Sequence, residues 1–335
     1  VIWDGTKISS LTEMKGSGTK DAPYEIENGK QLAYVVSTNL DDGLFFKLAN
    51  DIKLNNTSKA NWKDNARNWV WADIRFVGTF DGDGHTISNL NTTSGMFREN
   101  HGEIYNLKLE NISLTEDTSG GIASVNTGLI YRCSNTSFAP FNTYTSVSGG
   151  IAGINKHSGM VVSSYTNGML GGNSHSAVSG GICGYNYGLI AGSYNGMQIN
   201  FSVATSALLG GICGYNSGTI SDCINYSDIS AFNSLSAESN IGGIASGNNG
   251  SIVNSISSAE KLMGKKTGAI CATMLNNNIY NCYYLNTVEE PFSLEGATGG
   301  SNFDLGNPAF YQNLDTATMW HLKEGFFPVL IETMF

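Results

Sequence analysis

The sequence predicts an all-β fold, a right-handed parallel β-helix solenoid with a short N-terminal helix cap and a C-terminal cap. Three observations carry this reading. A phrase recurs: Gly120-Gly121-Ile122-Ala123 returns as Gly149-Gly150-Ile151-Ala152, Gly180-Gly181-Ile182-Cys183, Gly210-Gly211-Ile212-Cys213 and Gly242-Gly243-Ile244-Ala245. The steps between these starts are 29, 31, 30 and 32 residues, the mark of one supersecondary unit stacked on itself. Gly-Gly opens every copy, and the runs between glycines are Ile, Val, Tyr, Ser and Asn. Such runs suit short strands and tight turns rather than the helices of other repeats with this period. Right-handedness follows the general preference of parallel crossovers.

Each segment has its own justification. Residues 1–75 read as an N-terminal cap and lead-in. Within them Leu32, Val35 and Val36 fall at helical spacing after Asn28, a good N-cap, and the helix would cover the open end of the first coil. Residues 44–54 alternate and read as one strand. The repeat proper spans 76–284. It starts with a strand–turn–strand over 79–87, whose Asp81-Gly82 and Asp83-Gly84 are turn dipeptides. A calcium loop there lacks the third acidic ligand and the distal Glu. Weaker copies at Ser94-Gly95-Met96-Phe97 and Gly268-Ala269-Ile270-Cys271 flank the central five, giving seven with degenerate ends. At ~4.8 Å per coil that is a rod of roughly 34 Å before its caps. Residues 285–335 leave the pattern, and Trp320, Phe326, Phe327, Pro328, Val329 and Leu330 make an aromatic-rich C-terminal cap.

Columns within the repeat carry further information. Asn126, Asn155, Asn186, Asn216 and Asn248 share one offset. Two readings stand: amides hydrogen-bonded from coil to coil, or a left-handed turn residue before each Gly. The six cysteines fall on the grid in two sets. Cys183, Cys213 and Cys271 follow the Gly-Gly-Ile or Gly-Ala-Ile phrase, while Cys133, Cys223 and Cys282 alternate with Ser193 and Ser255. Interchange of Cys, Ser and Ala points to small buried sites with free thiols rather than a disulfide framework.

Charged residues make up 14% of the chain, and none lies between Lys156 and Asp222. The net charge of −10 argues against nucleic acid or an anionic membrane as a partner. No apolar run is long enough to span a bilayer as a helix. The sequence implies no cofactor and no metal site: there is no CxxC, no zinc-type Cys/His spacing and no His-Glu-x-x-His among His85, His101, His157, His175 and His321. No Gly-x-Ser-x-Gly elbow occurs, so no catalytic residue is assigned and no peptidase motif is present. A glycan-active β-helix enzyme would need carboxylates on neighbouring coils. Asp222 and Asp228 read as turn acids, and Asp51, Asp73, Asp81, Asp83 and Glu103 near one end are the remaining candidates. For binding, Tyr185, Tyr187, Tyr194, Tyr215 and Tyr226 recur in adjacent units. Pointing outward they would form an aromatic stripe suited to a sugar or protein; pointing inward they would be packing. Parity is open at this stage, and so is the oligomeric state.

The units Gly-Gly-Ile-Cys-Gly-Tyr-Asn-Tyr-Gly-Leu-Ile and Gly-Gly-Ile-Cys-Gly-Tyr-Asn-Ser-Gly-Thr-Ile resemble the GLUG motif of bacterial secreted and surface proteins. So do the lead-in at 16–26, the run Gly78-Thr-Phe-Asp-Gly-Asp-Gly-His-Thr-Ile-Ser-Asn-Leu90 and the ending Trp320…Phe327-Pro-Val-Leu330. Members of that family are named adhesins, haemagglutinin-like proteins or immunoglobulin A1 proteases. The resemblance implies an extracellular or outer-membrane surface location and an adhesin-like binding or display role. A host glycan or glycoprotein would then be the partner. It implies as alternatives a non-catalytic portion of an immunoglobulin A1 protease, or a glycan-active enzyme with its site near the ends.

Overall fold

The structure, a computed structural model, describes residues 2–58, 66–69, 74–114, 118–232, 238–276, 278–287 and 296–331. The chain winds through three parallel sheets in turn. Sheet I has eight strands, running from Arg75–Phe76 through Cys183–Asn186 and Cys213–Asn216 to Cys271–Met274. Sheet II has ten, from Tyr24–Ile26 through Leu189–Ala191 to Ile279–Tyr280. Sheet III has fifteen, and its path runs from Ile52–Lys53 to Ala297–Gly300. This is the parallel β-solenoid the repeat predicts.

The expectation of short strands holds in sheets I and II but not throughout sheet III. There Ser134–Gly149, Tyr165–Gly180 and Tyr194–Gly210 are single strands of 16, 16 and 17 residues. Neighbouring coils of nearly equal length pair along these runs, and the one extra residue of the third strand is taken up by a bulge between Ser174 and Ser176 rather than by a break.

The core consists of stacked columns. In sheet II, Phe46, Phe80, Ile104, Ile130, Val161, Ile190, Ile220, Ile252 and Ile279 lie directly above one another, none more than 2% exposed. Burying each such side chain stabilises the fold by roughly 1.5–3 kcal/mol. At the corner after sheet I, Asn100, Asn126, Asn155, Asn186, Asn216 and Asn248 form a buried ladder. Each Nδ2 donates to the next Oδ1 at 2.8 Å. Each amide also serves the corner backbone: Asn186 Nδ2 donates to the Gly188 and Thr219 carbonyls, and its Oδ1 accepts from Gly188 N. The ladder reading is therefore the correct one. The column ends where Met274 replaces Asn in the next strand.

A second polar column was not foreseen. In sheet III, Asn195 Nδ2 donates to Asn225 Oδ1 at 2.9 Å, and Thr166 Oγ1 donates to Asn195 Oδ1 at 2.9 Å. All six cysteines are free and buried. Their thiols donate to carbonyls, as Cys133 does to Ile104 O and Cys282 to Ile252 O, both at 3.6 Å. Desolvation pushes the Cys133, Cys223 and Cys282 thiols up to about 12.

The N-terminal helix spans Gly29–Val36, and the Asn28 side chain accepts from Lys30 N and Gln31 N as expected of an N-cap. The single strand expected over 44–54 is two, Phe45–Leu48 in sheet II and Ile52–Lys53 in sheet III. A coil corner falls between them, where Ala49 N reaches Ile26 O at 3.0 Å. The strand–turn–strand at 79–87 is likewise a corner, with Thr79–Asp81 in sheet II and Thr86–Ser88 in sheet III.

The C-terminal segment does more than close an end. Ala297–Gly300 pairs with Cys282–Leu285 as the last strand on the path of sheet III. The chain then returns alongside the coils to an antiparallel pair, Trp320–His321 with Val329–Leu330. Trp320 is fully buried there, and its Nε1 donates to Asp222 Oδ1 at 3.0 Å. The segment covers a column of sheet III that runs Tyr165, Tyr194, Ile224, Ile256, Tyr283. Ile224, Ile256, Tyr283, Leu305, Tyr311 and Trp320 belong to a second apolar cluster, separate from the solenoid core.

Candidate functional site

Side-chain direction in sheet I is set by glycine. Gly184 and Gly214 lie against the long strands of sheet III so closely that a Cβ would sit 2.9 Å from the methyls of Val147 and Val178. Strand alternation then turns their neighbours Tyr185 and Tyr215 away from that packing. The two tyrosines are in direct register. Tyr187 follows the ladder residue Asn186 at the corner, its backbone N held by Asn155 O at 2.7 Å.

The rings converge over successive coils. Tyr185 and Tyr187 are near-parallel with centroids 6.1 Å apart, and Tyr215 lies 6.1 Å from Tyr185. His157 extends the group, stacked on Tyr187 at 5.6 Å. The tyrosines are half-buried. Partial burial raises the Tyr185 phenol, with the neighbouring phenols adding to the effect. The patch is backed by the Asn ladder and offers ring faces beside hydroxyls.

Sequence reasoning missed His157. It sits in two extra residues that make this corner longer than its neighbours, a difference visible in the 31-residue step from 149 to 180. The loop closes through Gly159 N to Lys156 O at 2.7 Å.

Tyr194 and Tyr226 are elsewhere. Tyr194 stacks on Tyr165 in sheet III at 5.0 Å and 5°, and Tyr226 packs edge-on to Tyr194 at 5.8 Å. The Tyr226 hydroxyl donates to Pro328 O at 3.2 Å. Burial pushes Tyr194 up to about 12 and Tyr226 higher still. The five sequence-selected tyrosines thus divide into an outward trio and a pair engaged with the C-terminal segment.

The acidic candidates are committed to local structure. Asp51 accepts from Thr86 N at 2.9 Å and His85 Nδ1 at 3.1 Å, contacts that hold its carboxyl below the usual range. Asp81 accepts from Asp83 N and Asn106 Nδ2, while Asp83 pairs with Lys47 at 2.8 Å. Asp222 accepts from Trp320 and Asn254, and Asp228 from the backbone of Glu260 and Lys261. Glu103 is exposed on a strand, and Asp73 lies outside the described residues. Among the described residues no three His, Cys, Asp or Glu side chains gather as a metal-binding group. No helix among them is long and apolar enough to cross a membrane.

Comparison with known proteins places the fold. No family profile matches the chain, so the GLUG resemblance rests on the repeat residues themselves. Halomucin of Haloquadratum walsbyi is 28% identical over 181 residues, which is 50% of this chain and 2% of halomucin. The chain therefore spans a small fraction of that relative. Among solved structures, a "putative immunoglobulin A1 protease" from Bacteroides ovatus superposes with a TM-score of 0.54 at 20% identity, covering 95% of this chain and 94% of that one. A second structure, named IgA1 protease, gives 0.55 at 14% identity over 83% of this chain and 24% of that one. At these identities the likeness is one of fold.

Proposed function

We propose that the chain is a non-catalytic, extracellular binding and display module of a bacterial surface protein, adhesin-like in action. The observation that carries this reading is the trio Tyr185, Tyr187 and Tyr215, presented with His157 on a rigid ladder-backed face. Ring faces with adjacent hydroxyls offer stacking and hydrogen bonding together, the chemistry a host glycan or glycoprotein meets. Partial similarity to a much longer protein named halomucin supports a modular surface role. A rod whose middle coils carry no charge between Lys156 and Asp222 can project such a face over many coils.

A second reading, a non-catalytic part of an immunoglobulin A1 protease, is favoured by one observation. The solved structure of that name matches this chain over only 24% of its own length, as a module would. Under either reading, incubation with immunoglobulin A1 leaves the substrate intact.

A glycan and host-glycoprotein array tests the binding face. Tyr185→Ala/Tyr215→Ala is expected to cut the signal of at least one bound member tenfold or more while leaving the thermal midpoint within a few degrees. Binding unchanged by the double variant overturns the assigned face, and no binding to any array member leaves a spacer role.

A further inference from the structure

The last coil and the returning C-terminal segment line an open cavity of about 490 Å³. That is within the ~300–1,000 Å³ of small-molecule sites. Three rings line it, Tyr280, Tyr283 and Phe310, together with the polar side chains of Thr298, Gln312 and Asn313. Among the described residues no carboxylate, ammonium, guanidinium or imidazole lines it. The rings are set in advance: Phe310 lies 5.6 Å from Tyr283 at 57° and 5.5 Å from Tyr311 at 89°. Tyr280 is 54% exposed and free to take a ligand on its face.

The polar wall is oriented from a distance. Asp222, Asn254 and Asn281 occupy the same coil corner with left-handed φ of 54°, 51° and 51°. Their side chains form a relay. Asn254 Nδ2 donates to Asp222 Oδ1 at 3.1 Å, Asn281 Nδ2 to Asn254 Oδ1 at 3.2 Å, and Asn313 Nδ2 to Asn281 Oδ1 at 3.4 Å. A carboxylate can only accept, so it dictates the direction of every amide after it. The relay ends with Asn313 Oδ1 as an acceptor at the cavity. Among the described residues the Gln312 side-chain amide has no protein partner, and it is exposed beside Asn313.

We infer that this cavity binds a neutral pyranose unit of a glycan, its ring face against Tyr280 and its hydroxyls on Asn313 and Gln312. Flat apolar faces edged with hydroxyls match a lining of rings and amides. Among the described lining residues a uronate, sialate or phosphate would find no cation, and an amine no anion. A wholly apolar ligand would cover amides without pairing them, a loss comparable to that of a hydrogen bond. The site is distinct from the Tyr185–Tyr215 face and does not depend on it.

Titration calorimetry and saturation-transfer NMR with lactose, maltose, cellobiose and N,N′-diacetylchitobiose test this, with sialyllactose and digalacturonate as charged counterparts. At least one neutral disaccharide is expected to bind, and no charged one more tightly. Tyr280→Ala and Gln312→Ala should each weaken binding tenfold or more, and Tyr280→Trp should retain it. Both residues are exposed, so unchanged circular dichroism will accompany the loss. Tyr185→Ala/Tyr215→Ala should leave this binding unaltered. No neutral disaccharide binding overturns the proposal. So do indifference to Tyr280→Ala, preference for the charged sugars, and loss only in the Tyr185/Tyr215 variant. Displacement of the sugar by an aromatic peptide at lower concentration would assign the cavity to a peptide instead.

Discussion

The two buried layers of this molecule are built by different rules. Inside the coils, each position repeats: Ile above Ile, Asn above Asn, small residue above small residue, all bonded along the rod. Outside sheet III, the layer under the C-terminal segment is irregular. Trp320, Tyr311, Leu305 and Tyr283 interlock once, and hydrogen bonds from Trp320 to Asp222, from Asn313 to Asn281 and from Tyr226 to Pro328 tie the segment to the coils. The first layer distributes its stability over many equivalent contacts, so a fault in one coil reaches its neighbours. The second concentrates it in one indole. The lesson is that the rod and its side segment should fail separately.

The largest test strikes the repeating layer. Asn186→Leu removes the buried amide that joins Asn155 to Asn216 and leaves the half-buried Gly188 N–H without its acceptor. With ~1–3 kcal/mol for each buried group left unpaired, the loss should reach about 5 kcal/mol. Urea unfolding followed by far-UV circular dichroism would show it as a shifted midpoint for the whole rod. A shift no larger than that of Asn248→Leu, at the ladder's last rung, would mean the rungs act singly.

Alkali comes next and separates the layers by titration. Folded Cys133, Cys223 and Cys282 hold their protons to about 12, whereas unfolded thiols lose them near 9.0. Between those values the unfolded chain binds fewer protons, so stability present below pH 9 is lost as pH rises. Each thiol contributes about 1.4 kcal/mol per pH unit, or about 4 kcal/mol for the three at pH 10. The phenols of Tyr194 and Tyr226, raised by burial, bring the outer layer into the same trend at higher pH. Urea midpoints from pH 8 to 11 measure the slope, and phenolate absorbance reports when the outer layer opens. Thiol reagent should count six sulfhydryls in denaturant, consistent with the free cysteines.

Trp320→Ala tests the outer layer. The cost, about 3 kcal/mol by analogy with large-to-small core changes, should fall on the segment alone. Limited proteolysis would cut after residue 300 while the main unfolding transition stays in place. A matching drop in the rod's midpoint would show the two layers to be one cooperative unit. The smallest effect belongs to Tyr226→Phe, which deletes only the hydroxyl bond to Pro328 O. About 1 kcal/mol of local loosening is expected, visible as faster hydrogen exchange near 328.

The sequence alone determined the repeat, its stacked parallel strands and the columns that fill it. Periodicity forces equivalent residues above one another, so Asn126 to Asn248 and the six cysteines could be read as columns from spacing alone. The N-cap at Asn28 was legible for the same local reason, since a side chain two or three residues away meets the backbone it serves. The tertiary structure decided what distance hides. Whether Tyr185 faces outward depends on Gly184 meeting Val147, a contact across two sheets. The division of the tyrosines depends on Trp320 reaching Asp222 from 98 residues away, because only then is one column of sheet III covered. Apolar Ile224 and Ile256 on that column were the available clue, but alternation cannot say which face a long strand turns to solvent until its partner segment is in place. Stacking is a local rule repeated, and so it is written in the spacing. The docking of a single irregular segment is a global choice among surfaces, and so only the folded chain displays it.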